Sequence, residues 1–463
     1  MSFEQVIRIS KVARRIGRAS GKSADEIAKL RNKRLRRLLQ HAVATPFFRE
    51  RYRGLDLDQV ELSQLPKTTK HELMANFDRA VTDPAIRRED VERFMAERSN
   101  IGRLYLGRYC VSHTSGSQGQ PLLLVQDRSC LEILFATTGA RGDPRGNQDI
   151  LSGLWRLLRP TKLAVVSMVG FSASGHAFTF LPEVMGSFVR MARLSPTQPD
   201  LVERLNELQP NSIVAYPSIL DWLAGQPQRL RLSPSKLRQI SSFGEHLTED
   251  ARHRIERTFG VPVYDHYGVG ECLFLADGCP TDGGAHINAD WAILEVVDKD
   301  GRPVPAGEPG ARILVTNLAN TVQPIIRYEI DDMVTLGSRP CGCGSRLPWI
   351  ERVEGRSEDV LWVGEQMLTY ILFKTAIEYL HQVREWQAVQ LEQNKIEIRL
   401  ELLPGAELDR ATAEPLVLKK LEELGLPAQV KAAVTIVPAL SSNPVTGKFN
   451  RMVCEIAPPL RGG

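Results

Sequence analysis

No apolar run in these 463 residues approaches the roughly 20 positions that a membrane-spanning helix needs. Cysteine is scarce, with seven in all, too few for a disulfide scaffold in so long a chain. Aromatic residues make up only 6%. The formal net charge of +4 is small for this length and argues against nucleic acid as the main partner. The first twenty residues, MSFEQVIRISKVARRIGRAS, alternate charged and apolar side chains too tightly for a secretory signal. Internal repeats and low-complexity linkers are also missing. The expectation is a cytoplasmic protein without a membrane span.

What is present is the composition of a folded globular chain, 43% hydrophobic and 25% charged. Its length exceeds one ordinary core and predicts two or three domains. Residues 1–100 read as a helical lead-in. Leu30, Leu35, Leu38, Leu39 and Ala42 recur at helical spacing, with Arg31, Lys33, Arg34, Arg36 and Arg37 opposite. That basic face could meet RNA or an acidic membrane surface; it is read here as one solvated side of an amphipathic helix. From Leu104 to about Glu365, strand-like and helix-like runs alternate. Leu163–Val169, Ser212–Tyr216, Gln239–Phe243 and Val261–Tyr264 are the strand candidates, with helices from Leu201, Ile219 and Thr248. This order predicts an α/β fold with a parallel sheet flanked by helices, whose ligands bind beyond the carboxyl ends of the strands. The loops at those ends are Tyr216-Pro217-Ser218, Phe243-Gly244-Glu245 and Tyr267-Gly268-Val269-Gly270-Glu271. After Ile287 the pattern becomes a β meander. The last hundred residues read as a small α+β unit beyond a charged joint, Glu354 to Asp359, dividing the chain into 1–357 and 358–463.

The stretch His113-Thr114-Ser115-Gly116-Ser117-Gln118-Gly119-Gln120-Pro121 lies between two strand-like runs. Its glycines admit positive φ, and successive amides and hydroxyls can wrap phosphate oxygens; an ordinary hairpin turn has the same composition. A Walker-type loop is excluded, because Gln120 and Pro121 stand where that loop needs Lys and Ser/Thr.

Taken together, Thr114 to Pro121, Phe243-Gly244-Glu245, Tyr267 to Glu271, Ile326-Arg327-Tyr328 with Asp332, Gly355 to Asp359 and Gly447-Lys448 resemble the acyl-adenylate-forming superfamily, and within it the phenylacetate–CoA ligase group. The early Leu65-Pro66 fits too. The resemblance implies a large N-terminal adenylating domain with a β subdomain, and a small mobile C-terminal domain. It implies that a carboxylate attacks ATP to give an acyl-adenylate, after which a thiol or amine displaces AMP. Ser115, Gly116, Ser117 and Gly119 would then cradle phosphates, and Thr114 and Glu271 would reach Mg²⁺. Gly244, Glu245 and Tyr267 would line the adenine, Asp332 would take both ribose hydroxyls, and Arg356 would join the nucleotide set. Lys448 would stabilise the charge that develops as the adenylate forms. Tyr216, Phe243, His246, His266, Gly268, Cys272 and Phe274 would form the acyl pocket, suited to an aryl or other planar acid.

Two departures stand out. Gln120 replaces the lysine usual after the phosphate loop, and Asp331 replaces the glycine usual beside the ribose aspartate. Cys279, His286, Cys341 and Cys343 make a three-thiol, one-imidazole set suited to structural Zn²⁺, or else reduced free thiols. Cys110, Cys130 and Cys454 read as packing residues. CoA is the default acceptor; a carrier-protein thiol or an amine is the alternative, as is a zinc-stabilised nucleotide-binding module without turnover. A homodimer would be ordinary for the group.

Overall fold

The computed structural model describes every residue except 1–2, 115–120, 142–159, 168–169, 183–188, 197, 227, 246, 248, 280, 354–359, 365, 404, 441–450 and 456–463. The lead-in is helical as its periodicity predicts. Helices Phe3–Ala19 and Ala24–Ala42 are followed by shorter ones between Pro46 and Ala96. Ser23 and Glu26 cap the second helix reciprocally, closing two of its orphan donors. Leu35, Leu38, Leu39 and Ala42 are buried, while Leu30 packs at the core's margin. The basic side of this helix is not simply solvated. Arg34 pairs with Asp290 and stacks over the Trp291 ring at 3.5 Å, and Arg36 donates to the carbonyls of Leu57 and Val60. Those cations hold the helix to the body of the protein.

Strands β1 (Tyr109–His113) and β2 (Leu123–Asp127) form an antiparallel hairpin. The run expected from Leu104 enters the hairpin only at Tyr109, because Leu106 and Gly107 take positive φ of 50° and 67° and turn the chain first. Five parallel strands follow in spatial order: β4 (Val189–Leu194), β3 (Thr161–Val166), β5 (Ser212–Ala215), β6 (Gln239–Phe243) and β7 (Val263–Val269). Helices Leu201–Leu208, Pro217–Ala224 and Glu249–Phe259 cover one face. The sheet continues antiparallel through β8 (Cys272–Gly278), β9 (Ala285–Ile287), β14 (Trp349–Val353) and β13 (Val334–Leu336), giving nine strands. The expected β meander is a separate three-stranded sheet of β10 (Ala292–Val297), β11 (Arg312–Asn317) and β12 (Ile325–Ile330).

One expected loop is a strand. Tyr267 and Gly268 lie inside β7, which turns at Gly270 and Glu271 into β8. Gly268 permits this because a Cβ there would lie 2.4 Å from the Leu273 carbonyl oxygen. Gly268 therefore admits the close approach of the Leu273 backbone.

Residues from Leu361 to Met452 bury a core of their own, drawn from helices Tyr370–Ile377 and Arg410–Glu423 and a four-stranded sheet. Among the described residues, Arg98 pairs with Glu423 across to this unit, and His113 Nε2 stands 3.4 Å from Glu378 Oε1. Among the described residues no helix is long and apolar enough to cross a membrane.

Candidate nucleotide, acyl and metal sites

The β1–β2 hairpin closes at Thr114. Its backbone N–H donates to the Leu122 carbonyl, and its Oγ1 accepts from the Leu122 N–H at 3.1 Å. Thr114 packs on Gly270, where a Cβ would fall 2.7 Å from Thr114 Cγ2. Only glycine lets the β7–β8 turn approach the hairpin so closely, and the next residue in that turn is Glu271. This contact is what brings Thr114 and Glu271, more than 150 positions apart in the chain, to one place.

Glu271 is buried, and burial pushes its carboxyl above the usual carboxylate range; the nearby Asp332 charge adds to this. A hydrogen bond from Tyr328 and the Lys70 charge oppose the rise. The Asn317 side-chain amide donates to the Glu271 backbone carbonyl at 2.8 Å and fixes the turn. The Tyr267 hydroxyl donates to Asp332 Oδ2 at 2.7 Å, so the ribose candidate is oriented by the aromatic residue expected beside the adenine. Asp331, by contrast, is exposed, and its charge acts on Arg312. Lys70, Asn317 and the role of Tyr328 were not readable beforehand. Tyr328 lies in a motif already quoted, but no spacing rule points at Lys70 or Asn317.

The expected acyl residues divide. Tyr216 and Phe243 stack with ring centroids 4.9 Å apart, and Phe178 adds a third ring 5.8 Å from Phe243. Gly244, at φ +78°, lies against the Tyr216 ring, with half-buried Glu245 beside it. His266 and Cys272 are corrections. The two His266 ring nitrogens bond Ser241 and Asp277, each at 3.1 Å, leaving neither for a ligand. Cys272 is fully buried in the core that also holds Cys110 and Cys130, and Phe274 is buried there too. They lie on β8, whose inward side packs against the helix Arg128–Arg141. Ser115, Gly116, Ser117, Gly119, Gln120, His246, Arg356 and Lys448 lie outside the described residues.

Far along the sheet, Cys279 at the end of β8, His286 on β9, and Cys341 and Cys343 before β14 bring four ligand atoms within 4.8 Å of one another. Cys279 Sγ and Cys341 Sγ are 3.6 Å apart, and His286 Nε2 is 3.1 Å from Cys343 Sγ. A zinc tetrahedron with metal–sulfur bonds of about 2.3 Å has edges near ~3.8 Å, so the set fits. His286 Nδ1 faces the Leu347 carbonyl at 3.3 Å, the outer hydrogen bond that leaves Nε2 for a metal. Although burial raises it, hydrogen bonds from His286 and from the Thr281 and Asp282 backbone bring the Cys279 thiol down to about 6.

Thr114, the buried Glu271 and the Asp332 held by Tyr267 thus gather around the turn between β7 and β8. The AMP-binding enzyme family matches residues 29–317. Phenylacetate-coenzyme A ligase of Pseudomonas putida is 24% identical over 401 residues, covering 82% of this chain and 83% of that protein. The Escherichia coli (strain K12) protein of the same name is 26% identical over 359 residues, covering 73% of each. A 2-hydroxyisobutyryl-CoA ligase, solved with its acyl-AMP and CoA, shares the fold, with a TM-score of 0.59, 18% identity and coverage of 94% and 91%. The chain belongs to the AMP-binding enzyme family. Within it the chain is phenylacetate–CoA ligase-like, an AMP-forming ligase.

Proposed function

We propose that this chain joins a carboxylic acid to the thiol of CoA through an acyl-adenylate. A carboxylate oxygen of the acid attacks the α-phosphorus of ATP, and the bond to the bridging oxygen breaks to release pyrophosphate. The deprotonated thiol then attacks the acyl carbon, and AMP leaves with the former carboxylate oxygen. The observation that carries this reading is the convergence of Thr114, Glu271, Tyr328, Tyr267 and Asp332 at one edge of the sheet. Thr114 and Glu271 would hold Mg²⁺, which supplies charge neutralisation to the phosphates. Asp332, steadied by Tyr267, would accept from the ribose diol, and the Tyr216–Phe243 pair would lie against a planar acyl group.

The separate core of residues Leu361 to Met452 supports a C-terminal domain that begins near 358 and moves as a unit. Lys448 travels on it in this reading. Replacement Lys448→Ala should lower acid-dependent ATP–pyrophosphate exchange about 10²–10³-fold, the scale for losing one preorganised charge contact, while ATP binding by calorimetry persists. The primary test is that exchange, run with Mg²⁺ against aromatic, heteroaromatic, amino and fatty acids. Acid-dependent exchange followed by CoA consumption supports the reading. Exchange without CoA consumption assigns the acyl group to a carrier-protein thiol or an amine. ATP binding without exchange for any acid overturns it in favour of a binding module.

We also propose that Cys279, His286, Cys341 and Cys343 hold structural Zn²⁺. The site is closed by four protein ligands and lies far along the sheet from Glu271, so it would act on stability alone. Purified protein should carry about one zinc per chain by mass spectrometry, and chelation should lower the Tm by several degrees. Metal-free protein with an unchanged Tm under chelator would leave three reduced thiols and an unliganded imidazole.

A further inference from the structure

Among the described residues, Arg193 is a half-buried charged group that the proposed reaction leaves unused. It is the fifth residue of β4, the edge strand, in register with Val165 of β3. Its neighbour Leu194 enters the core beneath helix Leu201–Leu208, so Arg193 faces the opposite side of the sheet. There its Nη2 donates to the Gly175 carbonyl at 3.0 Å, and the Tyr216 hydroxyl is the group that acts on its charge. Among the described residues it has no carboxylate partner. Other half-buried arginines do: Arg34 with Asp290, Arg254 with Asp221, Arg327 with Glu295 and Arg451 with Glu385. The Arg193 Nε is buried without a hydrogen-bond acceptor. Burial lowers its pKa, as it must for a cation drawn out of water without a counter-charge.

A second orphan lies beside it. The Ser167 hydroxyl is buried without a partner, two residues beyond Val165 and therefore on the same face of the adjoining strand. Two donors left unmet on one face are costly to keep unless something supplies acceptors. The surroundings indicate what. Tyr216, whose charge reaches Arg193, packs in turn against Phe243, which meets Phe178. The helix whose Gly175 receives Arg193 begins at Ala173, which packs against the Gly270 position beside Thr114. An aromatic ring laid on Tyr216 and Phe243 would thus have Glu271 and the nucleotide toward one end and Arg193 toward the other.

We propose that Arg193, with Ser167, binds a second anionic substituent of the acid, so that the substrate class is an aryl acid carrying two carboxylates. This rests on the ligase reading above. A guanidinium fork matches a carboxylate in a bidentate geometry, and Ser167 donates a third hydrogen bond. The first carboxylate then reacts while the second is held, which fixes the ring and selects against monoacids.

The test compares benzoate with isophthalate and terephthalate, in wild type, Arg193→Met and Arg193→Lys. Exchange kinetics and direct calorimetric titration of each acid are both measured, with Tm as a check on folding. The expected result is a preference for a dicarboxylate in wild type of about 30–100-fold in kcat/KM. Arg193→Met should abolish that preference, with Arg193→Lys intermediate. A wild type that prefers benzoate, or an Arg193→Met variant that keeps the dicarboxylate preference, overturns the proposal. If no acid supports exchange, the titration still decides. Dicarboxylate binding weakened by Arg193→Met keeps the anion site and removes the ligase reading; no binding removes both.

Discussion

Glu271→Gln should reduce Mg²⁺-dependent pyrophosphate exchange by about 10²–10³-fold while raising the melting temperature at neutral pH. The two effects share one cause. Glu271 is enclosed, its carboxyl is held above the ordinary range chiefly by burial, and Asp332 adds like charge. A carboxyl whose folded pKa is raised stabilises the fold below its unfolded pKa, and that contribution is lost as pH rises through the folded value. At neutral pH the ionised group therefore weakens the metal-free protein, and the uncharged amide removes that penalty. The gain in Tm should be present at pH 7–8 and vanish near pH 4, where both side chains are neutral. Wild-type Mg²⁺ affinity should fall as pH drops through the raised pKa, since the metal needs the carboxylate; the glutamine variant should bind weakly and without that dependence. Thermal melts across pH, paired with Mg²⁺ titrations, check both halves. A variant that loses exchange but gains no stability at neutral pH would mean that Tyr328 and Lys70 already balance the buried charge.

The second large effect is structural. Asp290 is fully buried between two arginines, Arg34 Nη1 at 3.0 Å and Arg141 Nη1 at 2.8 Å. Arg141 reaches further, to Ser20 and the Ile16 carbonyl, and burial already lowers the pKa of Arg34 with Asp290 opposing. Through this carboxylate the first two helices and helix Arg128–Arg141 are tied to the segment between β9 and β10. Asp290→Ala leaves two buried cations without a counter-charge and should destabilise the N-terminal part by about 3–5 kcal/mol in urea unfolding. Asp290→Asn keeps two acceptor positions on one oxygen and should cost less. If Arg34→Met and Arg141→Met are added to Asp290→Leu, most of the loss should return, because the dominant penalty is the unpaired charge and not a missing contact. Equal instability in the triple variant would assign the effect to lost hydrogen bonds.

Much of the architecture was legible because it follows from periodicities of 2 and 3.6. The strand runs at Ser212 and Gln239 bury Ile213, Ala215 and Ile240, and the helix from Leu201 buries Leu201, Val202 and Leu205. Where expectation and structure part, tertiary contact is the reason. Val261–Tyr264 was expected to end before Tyr267, yet β7 runs to Val269 because β8 pairs with it and Gly268 has no side chain to obstruct the neighbour. His266 and Cys272 sit in loop-like company in the sequence, but on adjacent strands they point into a polar network and an apolar core.

By itself the sequence determined the class of fold, the family resemblance and the order in which the short motifs run. All of these are local in the chain, written in spacing and residue chemistry. Only the tertiary structure decided which polar groups share a neighbourhood. Gly270 admitting Thr114, Tyr267 holding Asp332, Asp290 joining Arg34 to Arg141, and Arg193 lying within reach of the Tyr216 charge are relations between positions tens to hundreds of residues apart. The energy of a charge depends on burial and on its neighbours, and neither is fixed until the chain has closed on itself.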